Sequence, residues 1–136
     1  NIDFMFGSVK KHWGVLSGYR PHKIKYSWGF YSSHSTGFFI NRESAKKVGL
    51  YNTSYKYHAD YDYFYRMIVH HAMKGISTSK REIVGIFRRG GFSSTIHYRK
   101  MFFEELKIRY YNKQNIFEIL IIAIYKFFKH FNKIFK

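Results

Sequence analysis

The chain has 136 residues, 46% hydrophobic and 22% aromatic, enough to furnish the core of one modest domain and too apolar for a disordered chain. Against 24 Lys and Arg stand eight Asp and Glu, a net charge of +16, so the surface is broadly positive and suits an anionic partner: nucleic acid, anionic lipid or a phosphorylated small molecule. The absence of cysteine excludes disulfides, thiolate zinc sites and cysteine nucleophiles.

The N-terminal "NIDFMFGSVKK" lacks the basic head and apolar run of a signal peptide and opens directly on a strand-like alternation, the pattern expected of a piece whose upstream part lies elsewhere. Ile2, Phe4 and Phe6 predict a short strand ending at Gly7. Residues 11–33 mix Gly, Ser, Pro and aromatics without a sustained period, which predicts a long ordered loop or a short ribbon. "STGFFIN" reads as a strand, after which Asn41 caps a short helix, "RESAKKV", stopped by Gly49. From Asp60 the spacing Tyr61, Phe64, Tyr65, Ile68, Ala72 predicts a second helix with its stop at Gly75. "REIVGIF" is β-like, and "RRGGFSS" after it is a basic, glycine-containing loop. Residues 97–114 resume a helical stripe through Phe102, Phe103, Leu106 and Tyr110. With no internal repeat or low-complexity linker, the expected fold class is α/β, one domain of mixed short strands and helices over residues 1–114 followed by a tail over 115–136.

In the tail, "NIFEILIIAIYKFFKHFNKIFK", residues Ile116, Leu120, Ala123, Phe127, Phe131 and Ile134 form one predicted apolar face, with Lys126, Lys129, Lys133 and Lys136 on the other. The uninterrupted apolar run is about half of the roughly 20 residues that a membrane crossing needs. Two readings stay open: an amphipathic helix lying on an anionic membrane surface, and a terminal helix packed on its own domain or on a missing part.

Of only three aspartates in the chain, two stand at positions 60 and 62, within "YKYHADYDYFYRMIVHH". Asp60 reads plainly as an N-cap whose carboxylate accepts from the N–H of Asp62 or Tyr63. One cap accounts for neither the second carboxylate nor the surrounding Tyr57, His58, Tyr61 and Tyr63. The other reading is chemical: a carboxylate at a helix N-terminus is held ionised by the dipole and, in a partly enclosed cleft, accepts a proton from a hydroxyl nucleophile. Asp62 suits either support of the helix, bonded to nearby backbone or to Arg66 four residues on, or acceptor binding, and Arg66 carries the same two alternatives. "FRRGGFSS" reads either as a solvated turn or as a grip on a diphosphate leaving group. His70 and His71 fall mid-helix on diverging faces, and no histidine spacing suits a metal, so no metal held by this chain is expected.

The succession "HSTGFFINRESAKKVGLYNTSYKYHADYDYFYRMI" followed by "GIFRRGGFSS" resembles the C-terminal half of the family-2 glycosyltransferases, the inverting enzymes of the GT-A (Rossmann-like) fold. His34, Arg42, Gly49 to Asn52, Ala59 to Asp62, Arg66 and Gly90 to Ser93 match the family's pattern in order and spacing, over about residues 1–110. Each element is weak alone; the ordered combination is specific. The resemblance implies a partial GT-A domain and makes Asp60 the catalytic base that deprotonates the acceptor hydroxyl. Ala59 stands where many members carry a first carboxylate. It makes His34, beside the acceptor and sugar-diphosphate cleft, and Arg88, Arg89 and Ser93 of the loop candidates for substrate binding, while Asp62 and Arg66 keep both alternatives, support of the helix or acceptor binding. It also implies a divalent cation, Mg²⁺ or Mn²⁺, held by an "Asp-x-Asp" motif in the nucleotide-binding half, which this sequence does not contain.

The leading expectation is therefore the acceptor-side part of an inverting glycosyltransferase. It would use a nucleotide-sugar donor and a glycan or lipid-linked acceptor in surface polysaccharide synthesis, peripheral at the cytoplasmic face of the membrane. Without the missing N-terminal half, the chain is not expected to transfer sugar alone. Two alternatives from other classes are a basic, aromatic-rich nucleic-acid-binding module, although no recognised RNA or DNA motif occurs, and a membrane-surface interaction protein acting through its tail.

Overall fold

A computed structural model describes residues 1–26, 34–88, 90 and 96–134. The chain is mixed α/β and divides into two units, each assembled from two stretches of sequence: Asn1–Leu50 with Phe64–Arg89, and Tyr51–Tyr63 with Gly90–Lys136.

The first unit holds the strands. β1 (Phe4–Phe6) lies between β4 (Phe38–Ile40), antiparallel to it, and β5 (Gly75–Ser77), parallel to it. The chain continues through Gly7 into β2 (Ser8–Lys11), which lies between antiparallel β3 (Gly14–Leu16) and parallel β6 (Ile83–Ile86). The two-residue period that predicts the first strand turns Phe4 and Phe6 to one face, and both are buried. There they meet Phe38, Phe64 and Tyr19, with Phe38 and Phe64 ring centroids 4.7 Å apart and Phe6 and Phe64 edge to face at 5.2 Å. Of the segment 11–33, expected as a long loop or a short ribbon, the described part supplies β3, which pairs with β2 just upstream, and the short α1 (Lys23–Tyr26); residues 27–33 lie outside the described residues. "STGFFIN" is only half strand: Ser35–Gly37 form a 3₁₀ turn before β4. That turn is set by Gly37, whose carbonyl accepts from Gly7 N at 2.7 Å, so closely that a Cβ at Gly37 would stand 2.5 Å from Gly7 O.

α2 (Arg42–Val48) forms as its sequence predicts. Asn41 Oδ1 accepts from Ser44 N at 2.7 Å, and Gly49 ends the helix at φ +83°. Asp3 ties this cap to the sheet, its carboxylate accepting from Ser44 Oγ at 2.6 Å and from Lys74 N at 2.8 Å.

α3 (Ala59–Tyr65) continues into a π-helical turn (Arg66–His70), closed by His71 N donating to Arg66 O at 2.9 Å. The predicted stop at Gly75 is not a helix end. The helix finishes five residues earlier, so His70 and His71 lie at its terminus rather than mid-helix, and Ala72, at φ +48°, turns the chain out of it. Gly75 opens β5 opposite Phe4, and a Cβ there would come within 2.2 Å of the Phe4 ring. The position demands glycine because an aromatic ring lies across it, a tertiary reason that local spacing does not display.

The second unit is helical: α4 (Tyr98–Tyr111), α5 (Ile116–Lys129) and α6 (Phe131–Ile134), with the segment from Tyr51 to the start of α3. The α4 face differs from expectation, and of the predicted apolar face of the tail Ile134 is buried, Ala123 and Phe127 are half-buried and Ile116, Leu120 and Phe131 are exposed. On α4 the buried residues are Phe102, Glu105, Ile108 and Arg109, while the predicted stripe residues Phe103 and Tyr110 are exposed. On α5 the buried residues are Ile119 and Ile122, and the predicted face residues Ile116 and Leu120 are exposed. Lys126, expected on the solvent face, bonds Glu105 Oε2 instead.

The reason is an ionic core. Arg109, fully buried, donates from Nε and Nη2 to Glu105 Oε1 at 3.1 and 2.7 Å and from Nη1 to Gln114 Oε1 at 2.9 Å, with its guanidinium 5.1 Å from the Tyr61 ring centre. Burial pushes the Glu105 carboxyl up, but Lys126 and then Arg109 outweigh it and hold the group below its ordinary value, ionised. Burying Glu105 and Arg109 together fixes the inner face of α4, and the remaining carboxylate oxygen draws Lys126 and its face of α5 inward.

Candidate functional site

α3 begins one residue before the expected start. His58 O accepts from Asp62 N at 3.1 Å, so His58 occupies the cap position and Asp60 sits in the first turn. Asp60 therefore does not cap in the expected manner. Its Oδ1 accepts from the N–H of Tyr61 at 2.8 Å, whereas the N–H of Asp62 is already taken by His58. The carboxylate is half-buried, and among the described residues its other oxygen takes no hydrogen bond. A carboxylate oriented by one backbone N–H, with a second oxygen uncommitted, is arranged to accept a further proton donor.

Asp62, one further step along the same turn, goes the other way. It is buried, and its Oδ1 accepts from Asn112 Nδ2 at 2.9 Å. Asn112, which caps the C-terminal end of α4, also donates to Ile108 O at 3.0 Å, so the end of α4 carries a fixed partner for the first turn of α3.

A second support comes from Glu104, which the sequence reading missed. Its Oε1 accepts from Tyr57 N at 2.7 Å and His58 N at 2.8 Å, and its Oε2 accepts from Lys56 N at 2.9 Å. Three consecutive N–H groups converge on one carboxylate, which fixes the chain immediately before α3. Between them, Glu104 and Asn112 hold both sides of the helix start from α4. The available sequence signal was the shortage of acid itself: Glu104 and Glu105 are two of only eight acidic residues, adjacent on one helix. His58 Nδ1 is buried without a hydrogen bond, 3.9 Å from Glu104 Oε1. Burial lowers the His58 pKa, against the opposing influence of Glu105, Asp60 and Glu104, which favours the neutral imidazole in this acidic surround.

Of the residues expected in a site, the first unit holds His34, Arg66 and Arg88. His34 Nδ1 accepts from Thr36 N at 3.1 Å, which leaves any proton of a neutral ring on Nε2. Its ring lies 4.5 Å from that of Phe87, and Lys11 Nζ lies over the same Phe87 ring at 4.7 Å. Arg88 follows Phe87 directly, is exposed, and pairs with no carboxylate among the described residues. His34, Lys11 and Arg88 thus gather around the end of β6. Lys11 was not anticipated; its burial lowers its pKa. Arg66 donates from Nη1 to Val48 O at 2.6 Å and from Nη2 to Leu50 O at 2.9 Å, which secures the end of α2 and the segment after Gly49. Arg89 and Ser93 lie outside the described residues.

The carboxylates do not form a divalent-cation site: among the described residues no three of the Asp, Glu and His side chains converge as ligands. Asp62 and Glu104 are each committed to N–H donors, and Glu105 to Arg109 and Lys126. Compared with known proteins, the chain matches no family model, no curated protein and no solved structure.

Proposed function

We propose that this chain is the acceptor-side part of an inverting glycosyltransferase of the GT-A type, in which Asp60 is the general base. The observation that carries the reading is the contrast within one helical turn: Asp62 is buried against Asn112, while Asp60 is half-exposed with an oxygen uncommitted among the described residues. Its motif context, running from His34 through Arg42, Asp60 and Arg66 to the arginine and glycine loop, supports the same reading.

In this mechanism the acceptor hydroxyl oxygen attacks the anomeric carbon of a nucleotide-sugar. The hydroxyl proton passes to Asp60 as the carbon–oxygen bond to the diphosphate breaks, and the nucleoside diphosphate leaves with the bonding pair. A single displacement inverts the anomeric configuration. By their place in the motif, Arg88 and Arg89 are suited to offset the charge that grows on the departing diphosphate, Ser93 to donate a hydrogen bond to it, and His34 to contact substrate. The divalent cation that such enzymes use finds no fitting donor set among the described residues.

The test is stereochemical. In a chain joined to its nucleotide-binding half, proton NMR of the first-formed product should show the anomeric configuration opposite to that of the donor. A retained configuration would remove both the single displacement and the role of Asp60. Turnover of a nucleotide-sugar by the isolated 136-residue chain would equally refute the assignment of this segment as an acceptor half.

A further inference from the structure

α5 has apolar residues around most of its circumference, and the interior fully covers Ile119 and Ile122 and partly covers Glu118, Ala123, Lys126 and Phe127. Left facing outward are Phe117 (71% exposed), Leu120 (51%), Ile121 (58%), Ile124 (57%) and Phe128 (73%). Their spacings of three and four place them on one continuous stripe of the helix. A stripe of this kind, wholly apolar over three turns, is unlike the solvent face of an ordinary surface helix and marks a docking surface.

The charges around it select the occupant. None of the five carboxylates of the second unit is fully exposed: Asp62 and Glu105 are buried, and Asp60, Glu104 and Glu118 are half-buried. The exposed charges are cationic, including Arg99, Lys100, Lys107, Lys113, Lys129 and Lys133. A second copy of this chain would bring a further +16 against the same surface, which opposes self-association. An anionic surface is attracted. No described helix is long and apolar enough to cross a membrane.

We infer that α5 lies flat on an anionic phospholipid surface, with Phe117, Leu120, Ile121, Ile124 and Phe128 entering the boundary between headgroups and acyl chains. Lys113, Lys129 and Lys133, which bracket the helix in sequence, meet the phosphates. The face is not the one its sequence periodicity suggests, because Lys126 is taken inward by Glu105. The inference does not depend on the glycosyltransferase reading.

The experiment is co-sedimentation of the whole chain with vesicles of phosphatidylcholine alone and of phosphatidylcholine mixed with phosphatidylglycerol. The chain should pellet with the anionic vesicles and far less with the zwitterionic ones. Ile124→Glu, at an exposed site and with circular dichroism unchanged, should lower the partition coefficient about tenfold or more. Lys129→Gln should lower it roughly fivefold, and added salt should do likewise. Three results overturn the inference: no binding to anionic vesicles, undiminished binding by Ile124→Glu, or a dimer in sedimentation equilibrium that Ile124→Glu splits while vesicles capture nothing. The last would assign the stripe to a second copy.

Discussion

Glu104 meets Lys56, Tyr57 and His58 through three N–H···O bonds of 2.7 to 2.9 Å, and its replacement separates charge from hydrogen bonding. The Lys56 bond is exposed and contributes little; the Tyr57 and His58 bonds are partly buried and share Oε1. Hydrogen bonds to charged groups contribute about 1.5–3 kcal/mol each. Glu104→Ala, which strands two partly buried donors, should therefore cost about 3 kcal/mol. Glu104→Gln can keep both bonds through its amide oxygen while turning a donor toward Lys56 N, so it should cost only about 1 kcal/mol. Urea unfolding of the chain followed by far-ultraviolet circular dichroism gives both values, and amide exchange resolves where the loss falls. Tyr57 and His58 N–H should exchange faster in Glu104→Ala than in Glu104→Gln, because their acceptor is gone. Equal stabilities for the two variants, or a loss below about 0.5 kcal/mol for Glu104→Ala, would refute the claim that this carboxylate holds the entry to α3.

Three further outcomes are expected. Glu105→Ala leaves Arg109 and Lys126 buried without their carboxylate and should cost about 3–5 kcal/mol in urea unfolding, whereas Lys126→Met keeps the Glu105–Arg109 pair and should cost far less. Gly75→Ala drives a methyl group into the Phe4 ring and should lose about 1–3 kcal/mol, and a neutral result would contradict the placement of that ring. Asp3 lies below the ordinary aspartate value because Ser44 Oγ, and next the Lys74 N–H, donate to its carboxylate. Its contribution is then complete above about pH 4 and is lost as pH falls through the lowered value, so Asp3→Asn should flatten the acid limb of the stability curve there while leaving its shape near neutrality unchanged.

What the sequence disclosed was what local chemistry decides. Asn41, "RESAKKV" and Gly49 form a helix with both caps because each signal acts within a few residues of chain. The alternation of Phe4 and Phe6 located β1, and the valine and isoleucine run located β6. β5 went unseen because its glycine, which looks like a helix stop, is required by a ring from another strand. The inner face of α4 and the choice among the faces of α5 escape the sequence because apolarity is an incomplete guide when the interior is ionic. Phe103 and Tyr110 lie outside while Glu105 and Arg109 lie inside, and an apolar tail offers several equivalent stripes until Lys126 selects one. The same limit applies to the candidate site. "ADYD" was visible as a cluster of acid, but the division of labour between Asp60 and Asp62 depends on Asn112, fifty residues from Asp62, and on Glu104.

The proposed role of Asp60 as general base is tested most directly by comparing Asp60→Asn with Asp62→Asn in the chain joined to a nucleotide-binding half, as kcat per folded molecule with donor affinity measured separately. Asp60→Asn should lower kcat by about 10²–10⁴-fold with donor affinity and stability unchanged, since it removes a proton acceptor and no buried partner. Asp62→Asn should lower stability, through its Asn112 bond, far more than kcat. Wild-type turnover by Asp60→Asn would contradict the account.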